Sequence, residues 1–131
     1  MRIGGASATG LPATTPVMAL QAATVPAGVA MVNGAQTFAT WNAPNDGKLH
    51  NFTVAGFVNT TVLEVGGGVN VNWTSNGQAQ TFNVAAGGAA VGLALIFLTT
   101  RSCDPGTVVT VTQAAALTGG AAVVAAAIVA Q

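Results

Sequence analysis

The sequence predicts an all-β protein: a β-sandwich or jelly roll of about seven or eight antiparallel strands, preceded by an extended N-terminal arm. Three observations carry this reading. Short runs of alternating or β-branched residues recur along most of the chain. Turn signals separate them at intervals of about 8–12 residues, the spacing of sandwiches and barrels. Glycine, with 17 positions in 131, recurs too often for helices of useful length. Alanine does favour helix on intrinsic propensity, and Ala114–Leu117 reads as one helical turn.

Residues 1–33 form the arm and residues 34–131 the sandwich body. The arm is rich in Ala, Thr and Gly, and Pro12, Pro16 and Pro26 exclude a long helix. Its apolar residues follow no period of two or 3.6. Two readings are open: a flexible tail, or an arm whose Leu11, Val17, Met18, Leu20, Val25, Val29 and Met31 anchor it onto a neighbouring subunit. So many apolar side chains favour the second.

Thr37–Trp41 alternates polar and apolar residues and stops at Pro44-Asn45-Asp46-Gly47, a turn signal because Gly tolerates positive φ and Asp bonds its own backbone. Lys48–Val58 follows, with Phe52, Val54 and Gly56 on one face and Thr53, Ala55 and Phe57 on the other. Thr60–Val65 reads as a further β-branched strand closed by Gly66-Gly67-Gly68. Val69–Thr74 places Val69, Val71 and Trp73 on one face, and Ser75-Asn76-Gly77 signals a hairpin into Gln78–Val84. Val91–Leu98 is a continuous apolar run, the pattern of a strand covered on both faces. Asp104-Pro105-Gly106-Thr107 fits a type I or II turn, Thr107–Thr112 a strand, and Ala121–Ala130 a long apolar final strand.

Charge is scarce: 51% of residues are hydrophobic, only 5% are charged and the net charge is zero, against about 25% charged in ordinary soluble domains. The six charged residues are Arg2, Asp46, Lys48, Glu64, Arg101 and Asp104. Three dispersed cations give no basic footprint, which argues against a nucleic-acid partner. High hydrophobicity with no net charge is the opposite of the usual disorder signature. The N-terminus carries no apolar signal-peptide core before Pro12. Val84–Leu98 and Ala114–Ala130 are apolar, but the first is shorter than the ~20 residues a spanning helix needs. Glycines interrupt both, so no membrane partner is expected.

Reactive groups are few. His50 is the only histidine and Cys103 the only cysteine, so no intramolecular disulfide and no cysteine-based metal cluster can form. Cys103 has Arg101 nearby in sequence as a possible activator, but it precedes a Pro-Gly turn that accounts for it structurally. Asp46 and Asp104 sit in turn motifs, and nothing pairs two carboxylates for acid–base work. The glycine clusters Gly66–Gly68 and Gly87-Gly88 do not continue as phosphate loops. Three Asn-x-Thr triplets, at Asn51, Asn59 and Asn72, are expected from composition alone. No enzyme, no cofactor and no metal is expected.

The composition fits a structural or interaction role, since Thr, Asn and Gln can occupy an interface without an ion to desolvate. A small sandwich has one inner face to fill per sheet. Val91–Leu98 and Ala121–Ala130 carry apolar residues on both faces, so the second face needs another cover. Closed self-association supplies one economically.

Residues 36–131 resemble the small jelly-roll decoration (cement) proteins of tailed-phage heads. The resemblance rests on Ala43-Pro44-Asn45-Asp46-Gly47-Lys48-Leu49-His50, on Glu64-Val65-Gly66-Gly67-Gly68-Val69-Asn70-Val71, on Asp104-Pro105-Gly106-Thr107-Val108-Val109-Thr110-Val111 and on Ala116-Leu117-Thr118-Gly119-Gly120-Ala121. These are turns and strands rather than chemistry. The resemblance implies a tumour-necrosis-factor-like homotrimer on the outer capsid surface of a virion. Such a trimer would bind the major capsid protein and stabilise the head, with the arm reaching the shell or a neighbouring trimer. It assigns no catalytic residues.

Two other readings compete. One is a secreted or cell-surface β-sandwich module that binds a glycan or protein, with Trp41 and Trp73 as stacking platforms or, alternatively, as core residues. The other is a membrane-embedded or pilin-like assembly protein using Val84–Leu98.

Overall fold

In a computed structural model of the chain, residues 28–62, 67–84, 91 and 94–131 are described. They form eight strands: β1 (Val29–Ala30), β2 (Thr37–Asn42), β3 (His50–Val62), β4 (Val69–Ser75), β5 (Gln78–Val84), β6 (Ala94–Cys103), β7 (Val108–Gln113) and β8 (Ala121–Ala130). No helix occurs among the described residues, and Ala114–Leu117 is irregular rather than a helical turn. Its backbone is used elsewhere: Ala114 N–H donates to Gly68 O and Ala116 O accepts from Gly67 N–H.

The strands pair as a nested hairpin, with β4/β5 innermost, then β3/β6, β2/β7 and β1/β8, all antiparallel. Rolling that hairpin brings β3 beside β8 and β4 beside β7. Two four-stranded sheets result, in the orders β1-β8-β3-β6 and β2-β7-β4-β5. This is the double-sheet arrangement of an eight-stranded jelly roll.

Local chemistry explains the turns. Asn76 (φ 53°) and Gly77 (φ 72°) both take the left-handed conformation that a two-residue β4–β5 hairpin requires. Gly106 (φ 74°) does the same for the β6–β7 turn, which Thr107 N–H closes onto Asp104 O. Asp46-Gly47 does not make a two-residue hairpin. It lies in the longer passage from β2 to β3, which belong to different sheets.

The single strand β3 covers 13 residues, joining the end of the Lys48–Val58 run to the start of the separately expected Thr60–Val65 run. Its long apolar alternation pairs with β6 on one side and β8 on the other, and a register shift between Thr60 and Val62 marks the seam. The remainder of that second run, residues 63–66, lies outside the described residues.

Alternation builds the core. Phe52, Val54, Val58, Phe97, Cys103, Ala122, Val124 and Ala126 point inward from the first sheet. Val69, Val71, Trp73, Val109 and Val111 meet them from the second. Valine suits this setting because its stiff branched side chain fills a pleated surface at little rotamer cost. Phe52 sits at the centre, edge-on to Trp73 and tilted against Trp41.

Candidate assembly surface

The two outer faces of the sandwich differ in chemistry. On the β2-β7-β4-β5 sheet, cross-strand register places Thr40 beside Thr110 and Asn72 between Thr110 and Thr81. The Asn72 amide donates to Thr112 Oγ1 (3.0 Å) and Thr110 Oγ1 (3.3 Å), and its oxygen accepts from Thr81 Oγ1 (3.2 Å). Asn83 Nδ2 donates to Asn70 Oδ1 at 2.8 Å. This face is mostly a lattice of amides and hydroxyls that bond one another within the sheet, with Val108 exposed at the start of β7.

The outer face of the β1-β8-β3-β6 sheet is apolar. Ala55 pairs with Leu98 on one side and Ala127 on the other, and Phe57 pairs with Ile96 and Ala125. Residues opposite one another on neighbouring strands share a face, so these six form one patch. Ile96 is 82% exposed and Leu98 62%, whereas Ala55 and Phe57 are half-buried and Ala125 is covered. Ile96 and Leu98 stand out from the edge strand β6 and, with Ala55 and Phe57 of β3, line a shallow hollow. Polar residues bound the patch: Thr53 and Thr100 bond one another at 2.8 Å, and Ser102 Oγ donates to Asn51 Oδ1 at 2.6 Å.

The second face of the Val91–Leu98 run, expected to need a cover beyond the sandwich, is exposed at Ile96 and Leu98. Phe97 and Thr99 turn inward and are buried, while Ile96 and Leu98 turn outward and are exposed. Strand alternation divides any continuous apolar run between two faces, and the sandwich covers only one.

The candidate arm residues divide. Leu11, Val17, Met18, Leu20 and Val25 lie outside the described residues. Val29 pairs with Val124 in β8, so it belongs to the sheet although it is half exposed. Met31 is buried in the sandwich core and donates its N–H to Ala122 O, which removes it from any surface a partner reaches.

The remaining candidate groups occupy structural positions. His50 Nε2 lies 2.8 Å from Asp46 Oδ1, with the ring edge-on to Trp41. That contact, together with the Lys48 backbone N–H, holds the Asp46 carboxyl below the ordinary carboxylate range. Cys103 is buried, and burial pushes its thiol up, with the Asp104 charge adding in the same direction, so it is a poor nucleophile. Arg101 lies over the rings of Trp73 and Phe82 at 5.9 and 5.5 Å, closing the open side of the sandwich between the edge strands β5 and β6. Trp73 is a core residue, and Trp41 packs half-buried against that core, so neither stands free as a stacking platform.

Among the described residues, no three His, Cys, Asp or Glu side chains gather where they could hold a metal ion, and no helix is long and apolar enough to cross a membrane. Sequence reasoning marked β6 and β8, two of the three strands of the patch, as apolar on both faces, but it did not single out Ile96, Leu98, Ala55 and Phe57 as a surface. The signal was the alternation inside an all-apolar run, which becomes readable only with the pairing of β3 and β6. No family model, curated protein or solved structure matches this chain.

Proposed function

We propose that this chain is a structural virion protein: a capsid decoration protein that binds the outer capsid surface as a homotrimer and stabilises the head. The observation that carries the reading is the uncharged apolar outer face of the β1-β8-β3-β6 sheet, exposed on a chain with almost no charge to keep it dispersed. A surface of this kind is favourable only when covered, and repeated subunits on a shell cover it at high local concentration. The jelly-roll topology suits the role because every strand except the edge strands has both neighbours satisfied, leaving loops and faces for contacts.

The test is sedimentation of purified protein with capsids lacking it. Co-sedimentation at saturating, stoichiometric loading is expected, with weak dependence on salt because few charges take part. Removing residues 1–26 should spare the trimer and weaken capsid binding at least tenfold. The cut belongs before Gly28 because β1 and Met31 are parts of the sandwich. Absence of co-sedimentation by the intact chain refutes the proposal.

A further inference from the structure

We propose that Asn33 is a site of spontaneous covalent modification, its side-chain amide converting to aspartate and isoaspartate through a cyclic imide, and that Asp104 withholds the same reaction from Asn76.

The chain contains two Asn-Gly pairs, Asn33-Gly34 and Asn76-Gly77. Such a pair holds both reactants of an intramolecular acyl transfer. The glycine backbone nitrogen gives up its proton and attacks the asparagine Cγ, so that a C–N bond forms and closes the imide. The side-chain nitrogen leaves as ammonia, taking up the proton that the backbone nitrogen lost. Water then opens the ring at either carbonyl, giving aspartate or isoaspartate, and nothing is oxidised or reduced. Glycine favours the step because no Cβ crowds its nitrogen. In the unfolded chain the two pairs are chemically alike. In the sandwich they are not.

At Asn76-Gly77 the attacking nitrogen is already engaged. Gly77 N–H donates to Asp104 Oδ2 at 2.7 Å, and Asn76 N–H donates to Oδ1 of the same carboxylate at 2.9 Å. Removing the Gly77 proton would set a second negative charge against that carboxylate, which like-charge repulsion disfavours. The carboxylate is itself fixed from another turn, because Asp104 N–H donates to Thr74 O and Thr107 N–H to Asp104 O. Both residues of the pair are also held in the left-handed conformation of the hairpin. Gly77 cannot turn its nitrogen toward the Asn76 side chain unless the tip of β4–β5 comes away from the β6–β7 turn.

Asn33-Gly34 has none of these restraints. Both residues are exposed in the connection between β1 and β2. The Gly34 N–H donates only to a neutral carbonyl two residues back, Val32 O, at 3.0 Å. A Cβ built on Gly34 would meet nothing within 4 Å, so the nitrogen can swing without displacing a neighbour. The anchors lie to either side: Met31 N–H donates to Ala122 O, Val32 N–H to Gln36 Oε1, and Gln113 N–H to Gln36 O. Residues 33–35 are therefore a loose span between two held points, and imide closure there leaves the sheets intact. Among the described residues the side-chain carboxylates are Asp46 and Asp104, and both lie beyond the far end of β2, where Ala43 N–H meets Thr107 O.

The product alters the chain in two ways. It adds a negative charge to a sequence whose formal net charge is zero. In its isoaspartate form it also routes the backbone through Cβ, lengthening the link between β1 and β2 beside the Gln36 clasp. Charge heterogeneity of this protein thus accumulates with age at one end of the sandwich.

The experiment is incubation of the full-length protein in mildly alkaline buffer, with and without urea, followed by peptide mapping with mass spectrometry over time. The amide-to-acid mass gain locates each event, and isoelectric focusing counts the added charge. In the folded protein Asn33 should convert at least about tenfold faster than Asn76, and in urea the two rates should converge. Asn33→Gln should abolish the early acidic species and leave Asn76 unconverted. Asp104→Ala, with its β spectrum checked by circular dichroism, should speed conversion at Asn76 about tenfold and leave the Asn33 rate unchanged.

A folded protein in which Asn76 converts as fast as Asn33 overturns the protection. An Asn33 that stays intact when folded, while converting in urea, overturns the modification site. A folded Asp104→Ala variant whose Asn76 remains as resistant as in wild type removes the carboxylate from the explanation. Should that variant fail to fold, the ratio of the two rates in folded and urea-treated wild type decides alone.

Discussion

Replacing Asp104 with alanine should loosen two turns at once. The Asp104 carboxylate accepts the backbone N–H groups of Asn76 (2.9 Å) and Gly77 (2.7 Å), so a residue of the β6–β7 turn holds the tip of the β4–β5 hairpin. Its own N–H also donates to Thr74 O, and that bond survives the substitution. Hydrogen bonds to a charged acceptor contribute about 1.5–3 kcal/mol each when protected, but this site is near the surface, so about 1 kcal/mol apiece is appropriate. Asp104→Ala should therefore cost about 2 kcal/mol. Asp104→Asn retains one acceptor oxygen and should cost about half as much. Urea denaturation read by Trp fluorescence measures both, with the midpoint falling and the slope unchanged. An alanine variant within about 0.5 kcal/mol of wild type would show that the carboxylate does not hold the hairpin. An asparagine variant as weak as alanine would show that charge, rather than bond count, sets the effect.

Two further outcomes follow from the same structure. A Cβ added at Gly56 would stand 2.1 Å from the Ala125 carbonyl oxygen and 3.0 Å from Ala126 Cα, both backbone atoms of the adjacent strand. Gly56→Ala should accordingly cost about 3 kcal/mol or leave the protein insoluble, as judged by thermal melting and soluble yield; an unaltered melting temperature would contradict the close approach of β3 and β8. Asp46 has its folded-state pKa below the ordinary 3.8, first through the His50 contact and then through the Lys48 N–H. Its stabilising contribution is complete above pH 3.8 and is lost as pH falls through the lower folded value. Carbon-detected NMR titration should show a depressed Asp46 midpoint that returns toward the ordinary value in His50→Ala, and an unchanged midpoint would refute the coupling.

Much of the fold was legible because single residues carried the signal. Asn76-Gly77 announces a hairpin by needing positive φ twice, and Val69, Val71 and Trp73 are buried together as their period of two requires. The join of two expected strands into β3 was not legible, because Asn59 falls between the alternating Lys48–Val58 run and the β-branched Thr60–Val65 run. In the sheet Thr60 is wholly buried on the inner face, and the Thr61 hydroxyl bonds to Ala121 O, so tertiary pairing overrides the local pattern. Membership of β1 was hidden for a related reason. Two residues beside Pro26 give no periodicity, and only the edge of β8 makes Val29–Ala30 a strand. The candidate surface was half legible: an uncovered second face followed from composition, but which residues line its hollow depends on register.

The nested pairing also imposes an order in time. β8 is the last of the eight strands to be synthesised, yet it lies between β1 and β3, in the interior of its sheet. Until it arrives, β3 presents a bare edge and β1 has no partner, so the sheet that bears the apolar face cannot close. Contacts this remote in sequence make folding slow, on the order of milliseconds to seconds. A nascent or truncated chain would expose unpaired backbone beside the exposed apolar residues of β3 and β6, which is the usual route to aggregation. Arrival of β8 thus completes the sheet that bears the apolar face, and production of this protein should respond more sharply to loss of β8 than to loss of the segment before β1.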